Sequence, residues 1–130
     1  MRLLLASGNA TKLDELRRLL KQAALELEVV GLRDVPAYPE PAETGATFEE
    51  NALLKARAGF QATGLATLAD DSGIEVDVLN QMPGVRSARW AGPKASDRDN
   101  LQLLLRQLAD VEPERRRARF VCAAAYLGPD

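Results

Sequence analysis

The residues with the clearest chemical potential are two consecutive aspartates, Asp70 and Asp71, which are followed by Ser72 and Gly73. Adjacent carboxylates repel each other unless a cation or hydrogen bonds compensate, and ligands of open α/β sheets bind where strands end. The chain has no histidine and one cysteine, so oxygen ligands remain, and these favour Mg²⁺ or Mn²⁺. The alternative is a polar hairpin turn, because aspartate, serine and glycine all favour turns.

A second candidate is the turn at residues 7–12, where a short apolar strand is expected to lead into a helix. A helix start presents unpaired amides and the positive end of its dipole, which suits a phosphate group. Gly8 lets a ligand approach the backbone closely, and Lys12 adds a positive charge. The alternative is an ordinary Gly-Asn turn beside a solvated lysine.

A third candidate lies on the predicted second helix, where Thr47, Asn51 and Lys55 follow each other at a spacing of four residues. This spacing places an amide and an amine on one helix face, where they could hold phosphate oxygens. The alternative is a solvated face. Glu43 precedes this helix in a proline-rich loop, and it could equally be an ordinary loop carboxylate.

The hydrophobic pattern predicts the elements that would position these candidates. Strands are predicted at residues 2–6, 27–32, 65–68, 74–79 and 119–127. Helices are expected to begin at capping residues Thr11, Thr47 and Ser96, the second of them ending near Gly64. The first strand, helix and strand have the spacing of a βαβ unit, so the sequence predicts one mixed α/β domain over residues 1–130.

Composition restricts the class of protein further. The chain has 130 residues, of which 46% are hydrophobic, and its net charge of −2 lacks the basic excess of a nucleic-acid binder. Without histidine, a Ser-His-Asp triad cannot form within this chain. The single cysteine, Cys122, lies in an apolar strand and is expected to be inert core. No apolar run has the length of a membrane span or a signal peptide, so we expect a cytoplasmic protein without a membrane partner.

Taken in chain order, these segments resemble the inosine triphosphate pyrophosphatase family. The matching stretches are Ser7–Lys12, Glu43–Gly45, Thr47–Ala52, Ala69–Gly73, Pro83–Arg89 and Ala118–Phe120. Each stretch alone is weak evidence, but the ordered set runs over essentially the whole chain and is highly specific.

The resemblance implies an enzyme that hydrolyses nonstandard purine nucleoside triphosphates such as ITP, dITP and XTP. The products would be the monophosphate and pyrophosphate, the cofactor would be Mg²⁺, and the nonstandard nucleotides would be removed from the nucleotide pool. The family's fold is an elongated, twisted mixed sheet with helices on its faces, in two lobes around a central cleft. Its members are typically homodimers, so a homodimer is expected here.

The resemblance also implies roles for individual residues. Asp71 would accept a proton and bind the metal, and Glu43 would be a further metal carboxylate. Asn51 and Lys55 would support the triphosphate or metal-bound waters, and Ser72 would touch the substrate. Substrate phosphate would be bound by the turn residues Ser7, Gly8, Asn9, Ala10, Thr11 and Lys12.

Members of this family continue beyond residue 130 into a segment that grips the base, so the resemblance covers about the N-terminal two-thirds of such a protein. Donors that distinguish a 6-oxo from a 6-amino purine are therefore expected outside this chain, which should associate through the surface left open. Two alternatives stay open. One is a non-catalytic nucleotide- or phosphate-binding module that keeps the turn at residues 7–12. The other is a different metal-dependent phosphohydrolase built on Asp70 and Asp71.

Overall fold

The computed structural model describes residues 1–129, which form two compact units. The first unit comprises Met1–Asp70 and the C-terminal residues from Ala123, and the second comprises Asp71–Cys122. The strands are β1 (Arg2–Leu5), β2 (Glu28–Val30), β3 (Ala66–Val76), β4 (Met82–Pro83) and β5 (Ala118–Leu127). The α-helices are α1 (Ala10–Gln22), α2 (Phe48–Thr63) and α3 (Asp97–Gln107).

The first unit is built on parallel strand pairing around β1. This strand pairs with β2, where Leu3 lies opposite Val29, and with the N-terminal part of β3, where Leu4 lies opposite Thr67. Leu4 is completely buried. A parallel pair needs a crossover connection, and α1 supplies it between β1 and β2, which confirms the predicted βαβ unit.

Helix α1 begins earlier than predicted, because Asn9 caps it instead of Thr11. The Oδ1 atom of Asn9 accepts hydrogen bonds from the backbone N–H of Thr11 at 2.9 Å and of Lys12 at 3.3 Å. Asparagine is as good an N-cap as threonine, so a hydroxyl-based prediction missed it. Lys12 consequently lies in the first turn of α1.

Helix α2 confirms the prediction at both ends. The Oγ1 atom of Thr47 accepts a hydrogen bond from the backbone N–H of Glu50 at 3.1 Å, and Gly64 ends the helix with φ 72°. The Glu50 carboxylate departs from an ideal capping box, since it accepts from Ala46 N–H at 2.7 Å. Gly59 lets α2 approach the sheet, because a Cβ there would lie 2.8 Å from Thr67 Cγ2.

Strand β3 is continuous where the sequence predicted two strands and a turn. The turn predicted at residues 70–73 and the hairpin alternative are both wrong. Strand β3 pairs with β1 at residues 66–68 and with antiparallel β4 at residues 75–76, where Val76 lies opposite Met82. It also pairs with β5, and a strand held by neighbouring strands in this way can extend through residues that favour a turn. Successive side chains of a strand point to opposite sides, so the carboxylates of Asp70 and Asp71 are not side by side.

The second unit packs α3 against the C-terminal part of β3. Its core consists of Val76, Leu104 and Leu108, with Ile74, Leu79, Trp90 and Val111 packed around them. The capping box that opens α3 is confirmed, since Ser96 and Asp99 each accept the other's backbone N–H at 3.1 Å. The sheet therefore contains parallel and antiparallel pairs with helices, which confirms the mixed α/β prediction.

Residues 82–94 contain β4 and a short 3₁₀ helix, Gly84–Arg89. Asn100 of α3 is 8% exposed and ties this segment down. Its Oδ1 accepts from Ala91 N–H at 2.7 Å, and its Nδ2 donates to the Ala88 carbonyl at 2.9 Å. A buried amide satisfied on both sides replaces the apolar packing that such a loop lacks.

Cys122 is exposed, so the prediction that it belongs to the core is wrong. Strand β5 is apolar on both sides, and its exposure alternates along the chain from Val121 to Leu127. Cys122 falls on the more exposed side. Among residues 1–129, none of the helices has the length and apolar character required to cross a membrane.

Candidate functional site

The first unit contains a polar pocket of about 210 Å³ next to the start of α1. The end of β1, the proline-rich loop, α2 and β3 all contribute to its wall. Its polar lining side chains are Ser7, Lys12, Tyr38, Glu40, Glu43, Lys55 and Asp70. The pocket therefore gathers Ser7, Gly8, Lys12, Glu43 and Lys55 from the residues that the sequence singled out.

Lys12 reaches the pocket from the first turn of α1 and forms an ion pair with Asp70. Its Nζ lies 2.7 Å from Oδ2 of Asp70. The Lys12 side chain is 43% exposed and the Asp70 side chain only 17%, so the carboxylate is recessed and the ammonium lies nearer solvent. No local pattern predicts this pair, because the two residues are 58 positions apart.

Lys55 reaches the same pocket from the middle of α2 and is also held by Asp70. Its Nζ donates to the backbone carbonyl of Asp70 at 2.8 Å and lies 2.8 Å from Oε1 of Glu43. The solvated-face alternative is therefore wrong for Lys55. Asp70 thus contacts both lysines, one through its side chain and the other through its main chain.

Asn51 lies behind the pocket and fixes the loop that carries Glu43. Its side chain is completely buried, and its Oδ1 accepts a hydrogen bond from Gly45 N–H at 2.7 Å. A Cβ on Gly45 would lie 2.7 Å from that oxygen, so only glycine allows this approach. The predicted contact of Asn51 with substrate stays a prediction, and its observed contact is with the loop.

Some backbone N–H groups of the turn at residues 7–12 donate hydrogen bonds to side chains of the same turn. Asn9 Oδ1 accepts from the amides of Thr11 and Lys12, while Ser7 Oγ accepts from Asn9 N–H at 3.1 Å. Gly8 has no packing requirement, since no described heavy atom lies within 4 Å of the position its Cβ would take. Ala10 is the first residue of α1, and phosphate binding by this turn stays a prediction.

Tyr38 and Glu40 line the pocket and were missed by the sequence reasoning. Burial raises the pKa of the Tyr38 phenol, and the negative charge of Glu40 raises it further. The hydroxyl therefore stays protonated near neutral pH and offers a neutral hydrogen-bond donor. Tyr38 lies between Pro36 and Pro39, in a segment without periodicity, so no pattern marked it.

Asp71 and Ser72 belong to the second unit, where Asp71 is 7% exposed and Ser72 is exposed. Packing explains why position 73 is a glycine, because a Cβ there would lie 2.6 Å from the Gly84 carbonyl oxygen. Ser87 Oγ donates to that carbonyl at 2.6 Å and accepts from Ile74 N–H at 3.0 Å. The roles predicted for Asp71 and Ser72 stay predictions.

The carboxylates of the pocket allow a test of whether a metal ion fits. Within residues 1–129, no cluster of three or more aspartate, glutamate or cysteine side chains is arranged to hold a metal ion. Mg²⁺ commonly takes one or two protein carboxylates and completes its shell with waters and substrate phosphates. Glu43 and Asp70 therefore fit a cation that arrives with a polyphosphate, and do not form an all-protein cage.

The fold and the pocket together define an α/β protein with two lysines and three carboxylates gathered at a strand-to-helix turn, an arrangement suited to a phosphate-bearing ligand. The sequence model of the Ham1 family matches residues 3–130, and the chain belongs to that family.

Individual proteins similar to this chain carry more specific names. The dITP/XTP pyrophosphatase of Cutibacterium acnes is 61% identical over 129 residues, which are 99% of this chain and 63% of that protein. A crystal structure of the nucleoside-triphosphatase, dITP/XTP pyrophosphatase, from Mycobacterium abscessus matches with 55% identity and a TM-score of 0.87, over 99% of this chain and 65% of that one.

A HAM1 protein of Coxiella burnetii matches with 40% identity and a TM-score of 0.88, over 98% of this chain and 63% of that structure. The chain thus spans 63–65% of the length of these three proteins. The structural matches confirm the predicted fold class.

Proposed function

We propose that the chain binds the triphosphate of a nonstandard purine nucleotide, such as dITP, XTP or ITP, as part of a nucleoside triphosphate pyrophosphohydrolase. The observation that carries this proposal is the convergence of Lys12 and Lys55 on one pocket beside the start of α1. Both the Cutibacterium acnes relative and the Mycobacterium abscessus structure are named dITP/XTP pyrophosphatase, which supports the substrate class.

The lysines would act by neutralising charge. A triphosphate carries roughly four negative charges near neutral pH, and these repel an attacking water unless cationic groups offset them. Lys12 and Lys55 would each contact phosphate oxygens, and the positive end of the α1 dipole would add to their effect. The protonated Tyr38 hydroxyl would donate a hydrogen bond without changing the net charge of the pocket.

In the proposed reaction, a water oxygen forms a bond to the α-phosphorus in line with the leaving group. The bond from that phosphorus to the bridging oxygen breaks, and pyrophosphate leaves. Asp71 would accept the water proton, a role that needs no histidine. A bound Mg²⁺ ion, for which Mn²⁺ could substitute, would supply further neutralisation of phosphate charge. Glu43 and Asp70 of the pocket would be carboxylates available to it, and the family resemblance assigns Asp71 to it as well.

A second candidate is a nucleotide- or phosphate-binding piece without catalysis. The observation that favours it is that Asp71, the proposed proton acceptor, is not among the described residues that line the polar pocket. From the family resemblance, we propose a cytoplasmic homodimer for the pyrophosphohydrolase.

Pyrophosphate release from dITP, XTP, ITP and ATP in the presence of Mg²⁺ tests the proposal on the 130-residue chain. Release from dITP and XTP that exceeds release from ATP supports the pyrophosphohydrolase, and binding without release supports the binding piece. Lys55→Gln should weaken binding about tenfold or more, because a charge-assisted hydrogen bond is lost. Lys21→Gln on the exposed surface of α1 is the matched control. Failure of the chain to bind any of these nucleotides would contradict both candidates.

A further inference from the structure

The two lysines of the pocket are held by acceptors of different kinds. Lys12 contacts the Asp70 carboxylate, which is a side chain and can rotate. Lys55 contacts the Glu43 carboxylate and also the Asp70 carbonyl, which belongs to the backbone of β3 and cannot leave without moving the strand. The Lys55 side chain is 23% exposed and that of Lys12 is 43% exposed, so Lys12 has the greater freedom to move.

We propose that the Asp70 carboxylate is a built-in competitor of the ligand's phosphate groups for the Lys12 ammonium. On this inference, which rests on the proposed function, a triphosphate takes the Lys12 ammonium away from the Asp70 carboxylate while Lys55 keeps its place. Lys12 has a long flexible stem and an exposed head, so it can turn toward a ligand without rearrangement of the fold.

Displacement removes the Lys12 ammonium, which lies 2.7 Å from the Asp70 carboxylate, from beside that recessed group. A partly buried charge that loses a partner raises the free energy of the complex, and a divalent cation bound with the triphosphate would compensate it. The polyphosphate and the cation should therefore bind with positive coupling, and this coupling must be reciprocal. Asp70 would thereby favour a metal-bearing polyphosphate over a metal-free anion.

Calorimetric titration of the chain with inorganic tripolyphosphate, with and without MgCl₂, tests this role of Asp70. Asp70→Asn removes the negative charge but keeps the carbonyl that holds Lys55, so the two contacts are separated. Without Mg²⁺ the variant should bind about two- to fivefold more tightly, which is what a partly exposed ion pair is worth. The improvement in affinity caused by Mg²⁺ should be smaller in the variant than in the wild type.

Two further variants separate competition from other effects. Asp14→Asn, on the exposed surface of α1, removes the same charge outside the pocket and should leave affinity unchanged. In a Lys12→Gln background, Asp70→Asn should no longer tighten metal-free binding, since the proposed effect acts through Lys12. Melting temperatures of all variants confirm that the fold is kept, and pyrophosphate release from dITP is measured separately.

The outcomes distinguish this inference from the proposed function. Equal or weaker metal-free binding by Asp70→Asn, with dITP still hydrolysed by the wild type, would overturn the inference alone. Tightening of the same size in the Lys12→Gln background would also overturn it, because simple repulsion would then explain the effect. If the wild type bound neither tripolyphosphate nor dITP, the inference and the proposed function would both be wrong.

Discussion

Two pockets of the chain, one in each unit, are of opposite character. The polar pocket of the first unit measures about 210 Å³ and gathers two lysines with three carboxylates. An apolar pocket of the second unit measures about 330 Å³, and most of its described lining is apolar, including Ile74, Trp90, Leu101, Leu104 and Phe120. Asp97 is the single charged residue in that described lining.

This difference shows how one sheet can support two kinds of surface. In the first unit, helices and loops deliver charged side chains to the carboxyl end of parallel strands, where ligands of α/β proteins bind. In the second unit, α3 covers the strand with leucines, and the pocket is a gap in apolar packing. The first pocket is therefore suited to a polyphosphate, while the apolar core around the second pocket contributes chiefly to stability.

The largest expected effect is on turnover, and it comes from a residue of the second unit, the proposed proton acceptor Asp71. It would show that the second unit contributes to function as well as to stability. Asp71→Asn should lower dITP turnover about 10²- to 10⁴-fold, the usual contribution of a general base. Tripolyphosphate affinity and the melting temperature should change little. Asp77→Asn, which removes a more exposed carboxylate of the same unit, is the control. Turnover at the wild-type rate would remove Asp71 from the role.

A core substitution in the second unit sharpens the comparison. Leu104 is 7% exposed, and Leu104→Ala should lower the free energy of unfolding by about 2–5 kcal/mol through lost burial and a cavity. Chemical denaturation measures this change. Leu101→Ala, at an exposed position of the same helix, should cost much less. An equal loss at both positions would contradict the assignment of Leu104 to the core.

Two glycines of the first unit separate ligand contact from packing. Gly8→Ala should leave the free energy of unfolding unchanged or raise it by about 0.4–1 kcal/mol, because the side chain meets open space and the unfolded chain loses freedom. Affinity for tripolyphosphate should nevertheless fall a few-fold. Gly45→Ala should instead destabilise the fold, since its Cβ would meet Asn51. Unchanged affinity in Gly8→Ala would show that no ligand approaches that backbone.

The smallest effect concerns an ion pair on the surface of α1, away from both pockets. Arg18 donates to Glu15 and holds the pKa of that carboxyl below its usual value of 4.5. The pair therefore stabilises the fold above about pH 4.5, and this contribution is lost as the pH falls through the lowered pKa. Arg18→Gln should slightly flatten the acid side of the stability curve measured by denaturation between pH 3 and 6. A flattening at neutral pH would contradict this assignment.

Local signals in the sequence predicted part of this structure. The caps of α2 and α3 were readable because each is made within a few residues, as in the reciprocal bonds of Ser96 and Asp99. The continuity of β3 could not be predicted, because polar residues at 70–73 favour a turn locally, and the pairing of β3 with β1, β4 and β5 is a tertiary property. The exposure of Cys122 depends on which side of an apolar strand faces inward, and hydrophobicity alone does not show this.

The sequence identified several residues of the candidate site but not the contacts between them. Lys12, Lys55 and Glu43 were identified from motifs, whereas the position of Asp70 as acceptor for both lysines depends on tertiary packing. Tyr38 lies in a loop whose path no periodicity describes.

The bonds that anchor the Glu43 loop have a consequence for the free energy of ligand binding. Gly45 N–H is held by Asn51, and Ala46 N–H is held by Glu50, both at 2.7 Å. A segment tied to a helix in this way loses its conformational entropy when the chain folds. An incoming ligand then encounters a preorganised wall and spends none of its binding free energy on ordering this loop.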